Sequence, residues 1–461
     1  MAAQDVSQLK LPEEHATVSA TRPTRVRYQV LAAGCSVAVV AYIHRVGFAT
    51  ATTEIKSELC LSSQDIGFLM TAFLLAYGGF EVPGGLLSDR FGVRHLLTIL
   101  VLGWSLTTGG IALVALLPGV VAVFYALWIM RFLFGMFQAG GFPALSRMMT
   151  DWMTRQERAS AQGLIWMSSR LGGALIPLLL GALFVCVGWK SALWLVTEIG
   201  LVWCVVFWLW FRNRPEEMSQ VNALEREIIV AGRGRAFHGH LGWSTLFRSR
   251  SVLGLCLMYG FGGFAATFFV TMLPDYLQNH RQLSPGQTKW LTSLPLACGI
   301  LACALGGFLS DWFIRWSGNR KWGRRLNGGV GLTLAGMAIF STIWVHNVYL
   351  LGVLLCFTFF CNDINMGPAW AACADVGERY AGTVGGAMNM IGNLAAAGMT
   401  AIAGILLDLK GKIHIGEFQV SGRDLLFAIF GLFFILAALC WLLVDVTQPL
   451  VKSTTVSDAS R

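Results

Sequence analysis

Charge is what this sequence lacks most: of its 461 residues only 13% are Asp, Glu, Lys or Arg, while 55% are hydrophobic and the mean hydropathy is +0.62. So little charge cannot clothe a soluble protein of this length, and a lipid bilayer is the expected solvent for most of the chain. Acidic residues are scarcer than basic ones, 25 against 34. The basic residues nevertheless form no single stripe, and no nucleic-acid partner is expected. The 11 cysteines include no CxxC pair and no histidines stand at metal-ligand spacing, so no metal or cofactor is expected. Cys35, Cys186, Cys204, Cys298 and Cys356 sit inside apolar stretches and read as small buried hydrophobes. A nucleophile motif and a phosphate loop are also missing; "GFGGF" at 260 to 264 lies within an apolar run rather than after a strand, which argues against an enzyme. The N-terminus, polar to about Thr24, lacks the basic-apolar-small pattern of a cleaved leader, so insertion falls to the first apolar run.

What is present is apolar length. Runs long enough to cross ~30 Å of hydrocarbon occur twelve times, over 28 to 53, 65 to 88, 96 to 117, 119 to 149, 160 to 187, 190 to 211, 251 to 278, 287 to 314, 327 to 345, 347 to 375, 380 to 408 and 424 to 446. The expectation is an all-α membrane protein of twelve transmembrane helices in two six-helix halves. Its parts are a tail over 1–27, an N-terminal half over 28–211, a polar linker over 212–250 with an amphipathic piece, a C-terminal half over 251–446 and a tail over 447–461. Most of the 34 Lys and Arg fall on the side that holds both termini and the linker, and the positive-inside rule makes that side cytoplasmic, in the plasma (inner) membrane if the source is bacterial. "GGLLSDR" at 84 to 90 closes the second run and "GGFLSDW" at 306 to 312 closes the eighth, as a tandem duplication of a six-helix unit would place them. Such a build is that of a rocking transporter with its site between the halves.

Several motifs carry a resemblance. The pattern G-x-x-x-D-R-x-G-x-R, with Gly85, Asp89, Arg90, Gly92 and Arg94, is similar to the cytoplasmic signature of the major facilitator superfamily; its copy from Gly307 departs from the pattern after Asp311. One reading makes these residues a topology-fixing loop, the other a gate in which Asp89 pairs with basic groups or a helix N-terminus of a neighbouring segment. The strings "YIHRVGFATA", "RFLFGMFQAGGFPALSR", "DWMTRQERASAQG", "RNRPEEMSQVNALE" and "GGAMNMIGNLAAAG" narrow the likeness. In content and order they resemble the anion:cation symporter branch, which includes carriers of galactonate, glucarate and hexuronates and the sialin-like proteins.

Arg45, Arg131 and Arg170 all fall at middle depths of apolar runs, where an arginine costs at least ~2.5 kcal/mol. Together they suggest a cavity for an anion, since each guanidinium can grip a carboxylate with two parallel hydrogen bonds. The competing reading is a fixed ion pair with a helix carboxylate such as Glu81, Glu198 or Asp363. The resemblance implies that Arg45 contacts the substrate carboxylate and that Tyr77 helps line the site. Asn389 and Asn393, four residues apart on one helix face, suit hydroxyl groups or inter-helix packing. Tyr42, Trp370, Asn362 and Asn365 are further candidates.

The sequence departs from the branch where proton coupling is concerned. Its sugar-acid carriers usually have an aspartate directly before the first-helix arginine and a glutamate seven residues after the fourth-helix one; here the positions hold His44 and Gln138. Glutamine cannot titrate, which leaves His44 and Glu81 as coupling candidates. The expected function is secondary active transport of a small organic anion, a sugar acid or other carboxylate, by alternating access, with a monomer sufficing and protons or sodium as coupling ions. Uniport, exchange, a neutral solute and a non-transporting sensor stay open.

Overall fold

A computed structural model describes residues 22–232, 243–408, 412–415 and 418–451. Its helices are α1 (Val26–Thr50), α2 (Thr52–Glu58), α3 (Ser63–Phe91), α4 (Val93–Val114), α5 (Val120–Ala139), α6 (Gly141–Trp152), α7 (Arg158–Trp210), α8 (Ala223–Gly232), α9 (Trp243–Arg248), α10 (Arg250–Thr271), α11 (Leu273–Asp275), α12 (Pro285–Ser317), α13 (Arg320–Ser341), α14 (Val348–Asp363), α15 (Met366–Gly377), α16 (Ala381–Asp408) and α17 (Gly422–Cys440). Among the described residues ten stretches are long and apolar enough to span a bilayer, and two of these, Arg158–Trp210 and Val348–Thr400, run for 53 residues and reverse internally. Each therefore crosses twice, giving twelve crossings. The first reversal falls at Gly188, whose φ of 76° and ψ of 158° break the helix in a conformation that side chains rarely adopt. The second falls at Glu378 to Tyr380.

Local chemistry sets the ends. Ser62 with Asp65 and Ser284 with Gln287 form capping boxes that start α3 and α12, the latter with Pro285 in its first turn. Gly92, at φ 79°, turns α3 directly into α4. The linker helix α8 is fastened to the first span, because buried Glu225 accepts hydrogen bonds from the backbone nitrogens of Val26 and Arg27 at 2.9 and 3.2 Å and so caps α1. Large apolar side chains such as Leu75, Val202, Leu301 and Val353 point outward, as a lipid-facing surface requires. Cys186, expected among the buried thiols, is exposed there too; Cys204 is buried. The all-helical expectation has one small addition, a two-stranded antiparallel pair of Lys412–Ile415 and Phe418–Ser421 between α16 and α17.

The halves are α1 to α7 and α10 to α17, and the repeated glycine pair shows how they relate. A Cβ on Gly84 would lie 2.5 Å from the Gly140 Cα, at the break between α5 and α6; a Cβ on Gly306 would meet the Ile364 carbonyl, at the break between α14 and α15. Each first glycine thus lets a helix of its own half bend past it. The second glycine serves the opposite half: Gly85 abuts the Gly382 carbonyl at the start of α16, and Gly307 abuts the Ala159 carbonyl at the start of α7. We call the face where these starts lie the terminal face, since the described chain begins and ends on it, and the other the far face.

Candidate binding site and gate

Between the halves at mid-depth lies a cavity of about 200 Å³. Helices α1 and α3 contribute Tyr42, Arg45 and Tyr77, α6 and α7 contribute Phe142, Trp166 and Arg170, α10 contributes Tyr259 and Thr267, and α14 and α16 contribute Phe359, Asn362, Asn389 and Asn393. Asn365 also lines it. The residue types are those of a polar-solute site, with aromatic walls around a few convergent donors.

Arg45 has a neutral partner. Its Nε donates to Gln138 Oε1 at 2.8 Å, while Gln138 Nε2 donates to the Ala41 carbonyl at 2.7 Å, which fixes the amide's orientation. The guanidinium carbon stands over the rings of Tyr77, Tyr42 and Phe73 at 4.5, 5.3 and 5.5 Å. Among the described residues no carboxylate stands within ion-pairing distance of Arg45. Arg170 is different: its Nε and Nη2 donate to Asp363 Oδ2 and Oδ1 at 2.8 and 3.0 Å, across the two halves. This is one of the fixed pairs weighed from the sequence. Arg131 takes a third course, 2% exposed and not among the cavity-lining residues. It sits in a box of Phe48, Phe73 and Phe134, its guanidinium carbon 4.3, 4.7 and 5.2 Å from their centroids, with Nε and Nη1 unpartnered.

The other candidates divide likewise. Glu81 is fully buried; its Oε1 accepts from Asn389 and, at 2.9 Å, from Asn393, and its Oε2 has no partner. The two amides proposed for substrate hydroxyls thus clasp a carboxylate of the opposite half, with Tyr77 Oη 3.5 Å from Asn389 Nδ2. His44 faces away from the cavity, its Nδ1 2.9 Å from the Val40 carbonyl and its ring 6.5 Å from that of Trp104. Trp370 is fully buried and supports the wall from behind, donating to Tyr259 Oη at 3.4 Å and packing 5.6 Å from the Trp166 ring. Tyr259, Trp166, Phe142, Phe359 and Thr267 were not singled out from the sequence, because aromatic and hydroxyl residues are ordinary packing material in apolar runs.

Hydrogen bonds and ion pairs join the halves from this depth down to the terminal face. Asp89 accepts from the backbone nitrogens of Gly382 and Thr383 at 3.1 and 2.8 Å and from Thr383 Oγ1 at 2.6 Å, capping α16. Asp311 accepts from Ser160 N and Oγ at 2.6 and 2.7 Å, in the first turn of α7, and from Arg324 at 2.6 Å. The degenerate copy of the motif therefore makes the same contact in the reverse direction. Arg158 pairs with Asp375 at 2.7 Å, Arg155 with Glu378 at 2.7 Å, and Arg147 donates to the carbonyls of Glu378 and Arg379. Among the described residues Arg90 and Arg94 of the signature form no hydrogen bond or ion pair between halves: Arg90 lies over Phe91, and Arg94 donates to the Trp208 carbonyl within its own half.

The model of the Major Facilitator Superfamily matches residues 34–400. The chain belongs to that superfamily. It is 29% identical over 404 residues to a probable sulfoacetate transporter of Cupriavidus necator, covering 86% of this chain and 91% of that protein. It is 27% identical to the hexuronate transporter of Bacillus subtilis, covering 85% and 90%, and 28% identical to a probable galactarate/D-glucarate transporter of Escherichia coli, covering 83% and 88%. These relatives fall where the symporter-branch resemblance pointed. Among solved structures, the proton:xylose symporter XylE superposes with a TM-score of 0.69 at 13% identity, covering 90% of this chain and 95% of that one; the human organic anion transporter MFSD10 gives 0.66 at 16%, covering 91% and 100%. At those identities they establish the fold: twelve spans in two halves.

Proposed function

We propose that this chain is a secondary transporter that moves a small organic anion across the membrane by alternating access, with Arg45 gripping the anion's carboxylate. The observation that carries the reading is the partnership of Arg45 with Gln138 rather than an acid. A guanidinium at mid-membrane whose hydrogen-bond acceptor is a neutral amide, with three aromatic faces around it and Glu81 beyond ion-pairing distance, keeps its charge available to a ligand, and an anion there recovers part of the several kcal/mol that burying it costs. The named activities of the relatives, all organic-anion transport, agree.

The positive-inside bias makes the terminal face cytoplasmic, with the tails and the 212–250 linker on that side. The inter-half bonds then close the cytoplasmic side, and the cavity belongs to an outward-facing carrier. Both halves of one chain contribute to the described lining, which supports a monomer as the working unit. For coupling we assign a proton to Glu81, which is buried, clasped between halves by Asn389 and Asn393, and linked to Arg45 through Tyr77. His44 faces away from the cavity and Gln138 does not titrate. Arg45→Ala should insert normally and lose binding and uptake of organic anions in proteoliposomes; retention of wild-type uptake would sink the assignment. An imposed proton gradient should drive uptake in the wild type and not in Glu81→Gln; uptake that follows sodium alone would move the coupling elsewhere.

A further inference from the structure

Two guanidiniums open into one small cavity from different helices. Tyr42 stands between them: its ring lies under Arg45, and a Cβ on Gly173 of α7, three residues beyond Arg170, would come within 3.3 Å of it. Arg45 makes no ion pair among the described residues, Glu81 acting on it only from a distance. Arg170 already holds one, but the pair is lopsided in a way that matters. The Asp363 carboxylate is fully buried and lodged so tightly against α12 that a Cβ on Gly299 would lie 2.5 Å from its Oδ2, whereas the Arg170 side chain is 20% exposed and lines the cavity. Asp363 also keeps other donors, Asn362 Nδ2 at 2.9 Å and Cys303 Sγ at 3.7 Å. The arginine uses Nε and Nη2 for the aspartate, and its Nη1 makes no bond among the described residues.

We propose that Arg170 is a second anion subsite, filled in the empty carrier by Asp363 as a built-in surrogate carboxylate, and that the preferred cargo carries two acidic groups, as a dicarboxylate or a sulfo-carboxylate does. One group is held by Arg45 and the other by Arg170, first at its free Nη1 edge and then in competition with Asp363. The Asp363 pair spans the halves, so drawing Arg170 toward cargo loosens one of the bonds that must part when they rock. This rests on the organic-anion reading and adds the count of charges. Both kinds of cargo occur among the relatives' named substrates, so the family does not decide the matter.

The test compares ligands that differ by one acidic group on the same carbon skeleton: galactarate against galactonate, and sulfoacetate against glycolate, with binding to the full-length purified protein followed by calorimetry. The dianion should bind ~10-fold or more tightly within a pair, the scale of one charge-assisted hydrogen-bonded contact. Arg170→Gln should bring the ratio of Kd values toward one. The double variant Arg170→Gln/Asp363→Asn should do the same without leaving a buried carboxylate unpaired, so a folding defect in the single variant does not spare the idea. Asp363→Asn alone should raise the ratio by freeing the arginine. A wild type that binds monoanions as well as dianions in both pairs, or a dianion preference that survives Arg170→Gln in the double variant, overturns the second subsite and leaves Arg45 as it stands. Binding of these anions that ignores Arg45→Gln overturns the transport reading instead.

Discussion

The substitution Gln138→Glu places a carboxylate beside Arg45, and the geometry dictates what it should do. Protonated, the new side chain reproduces the glutamine, accepting from Arg45 Nε and donating to the Ala41 carbonyl, so binding at low pH should resemble the wild type. Ionised, it pairs with Arg45 and loses the donor that satisfied Ala41. A unit charge pair about 4 Å apart at an effective dielectric near 20 is worth ~4 kcal/mol. The neutral amide already makes a bond to a charged group worth ~1.5–3 kcal/mol. The difference, about 1–2.5 kcal/mol, is what a substrate carboxylate must overcome to claim Arg45, and it corresponds to a ~5- to 70-fold rise in Kd. The sign is fixed: affinity falls as pH rises through the titration of the introduced acid. Calorimetric titration with whichever anion binds the wild type, at pH 5 and pH 8, reads the effect. A Gln138→Glu protein whose affinity at pH 8 equals that of the wild type would refute the claim that Arg45 holds its charge for cargo.

Other perturbations probe the gate and its supports. Asp89→Asn replaces a charged helix cap between the halves with a neutral one, at ~0.5–2 kcal/mol; Asp311→Asn does the same and also takes a buried partner from Arg324, which raises its cost toward ~3–5 kcal/mol. Both should shift the carrier toward opening on the terminal face, read as faster labelling of a cysteine placed in the cavity by an impermeant reagent from that side; unchanged labelling would make the aspartates mere topology markers. Gly85→Val puts a side chain against the Gly382 carbonyl and should hold the same face open or prevent folding, whereas closure as in the wild type would contradict the contact. Glu157, outside the spans, is half-buried, which raises its pKa, but hydrogen bonds from Tyr28, Thr154 and Arg27 and the Arg27 charge outweigh this and hold it below the usual glutamate value. Its stabilisation is present above the ordinary pKa and fades as pH falls through the depressed one. Glu157→Gln should therefore lower the melting midpoint at pH 7, and the gap should narrow in acid.

The sequence exposes spans and odd residues better than it exposes directions. Twelve crossings are legible because hydrocarbon thickness fixes a length, and Arg45, Arg170, Glu81 and the asparagine pair stand out because polar groups inside such runs are costly. Which way each points depends on helix azimuth and on partners hundreds of residues away. Arg45 and Arg131 look alike in sequence; one faces the cavity and the other an aromatic box. Arg170 meets Asp363 across 193 positions, a pairing that depth alone made available without selecting. The breaks at Gly140 and Ile364 divide runs that are apolar on both sides, so hydropathy cannot register them. The short hairpin did leave a signal, the alternation of Lys412, Ile413, His414 and Ile415 near a glycine, which a search for long apolar runs passes over.

The two copies of the glycine-aspartate string show why a degenerate motif can keep its function. In each, the second glycine brings a helix of one half against the start of a helix in the other, and the aspartate four residues on caps that start. The cap needs only a carboxylate and backbone donors; the basic residues that follow Asp89 in the intact copy form, among the described residues, no hydrogen bond or ion pair with the opposite half. What the second copy lacks in sequence, Arg324 supplies from α13 to Asp311, and Arg324 in turn shares Asp375 with Arg158. The terminal face is therefore held by two crossed caps of opposite sense plus a buried charge network. Buried pairs of this kind are costly to break one partner at a time and can be nearly neutral to exchange together. A carrier so latched should open by parting all of them in one step, which is what rigid rocking of two halves demands and what a gate of independent surface ion pairs would not produce.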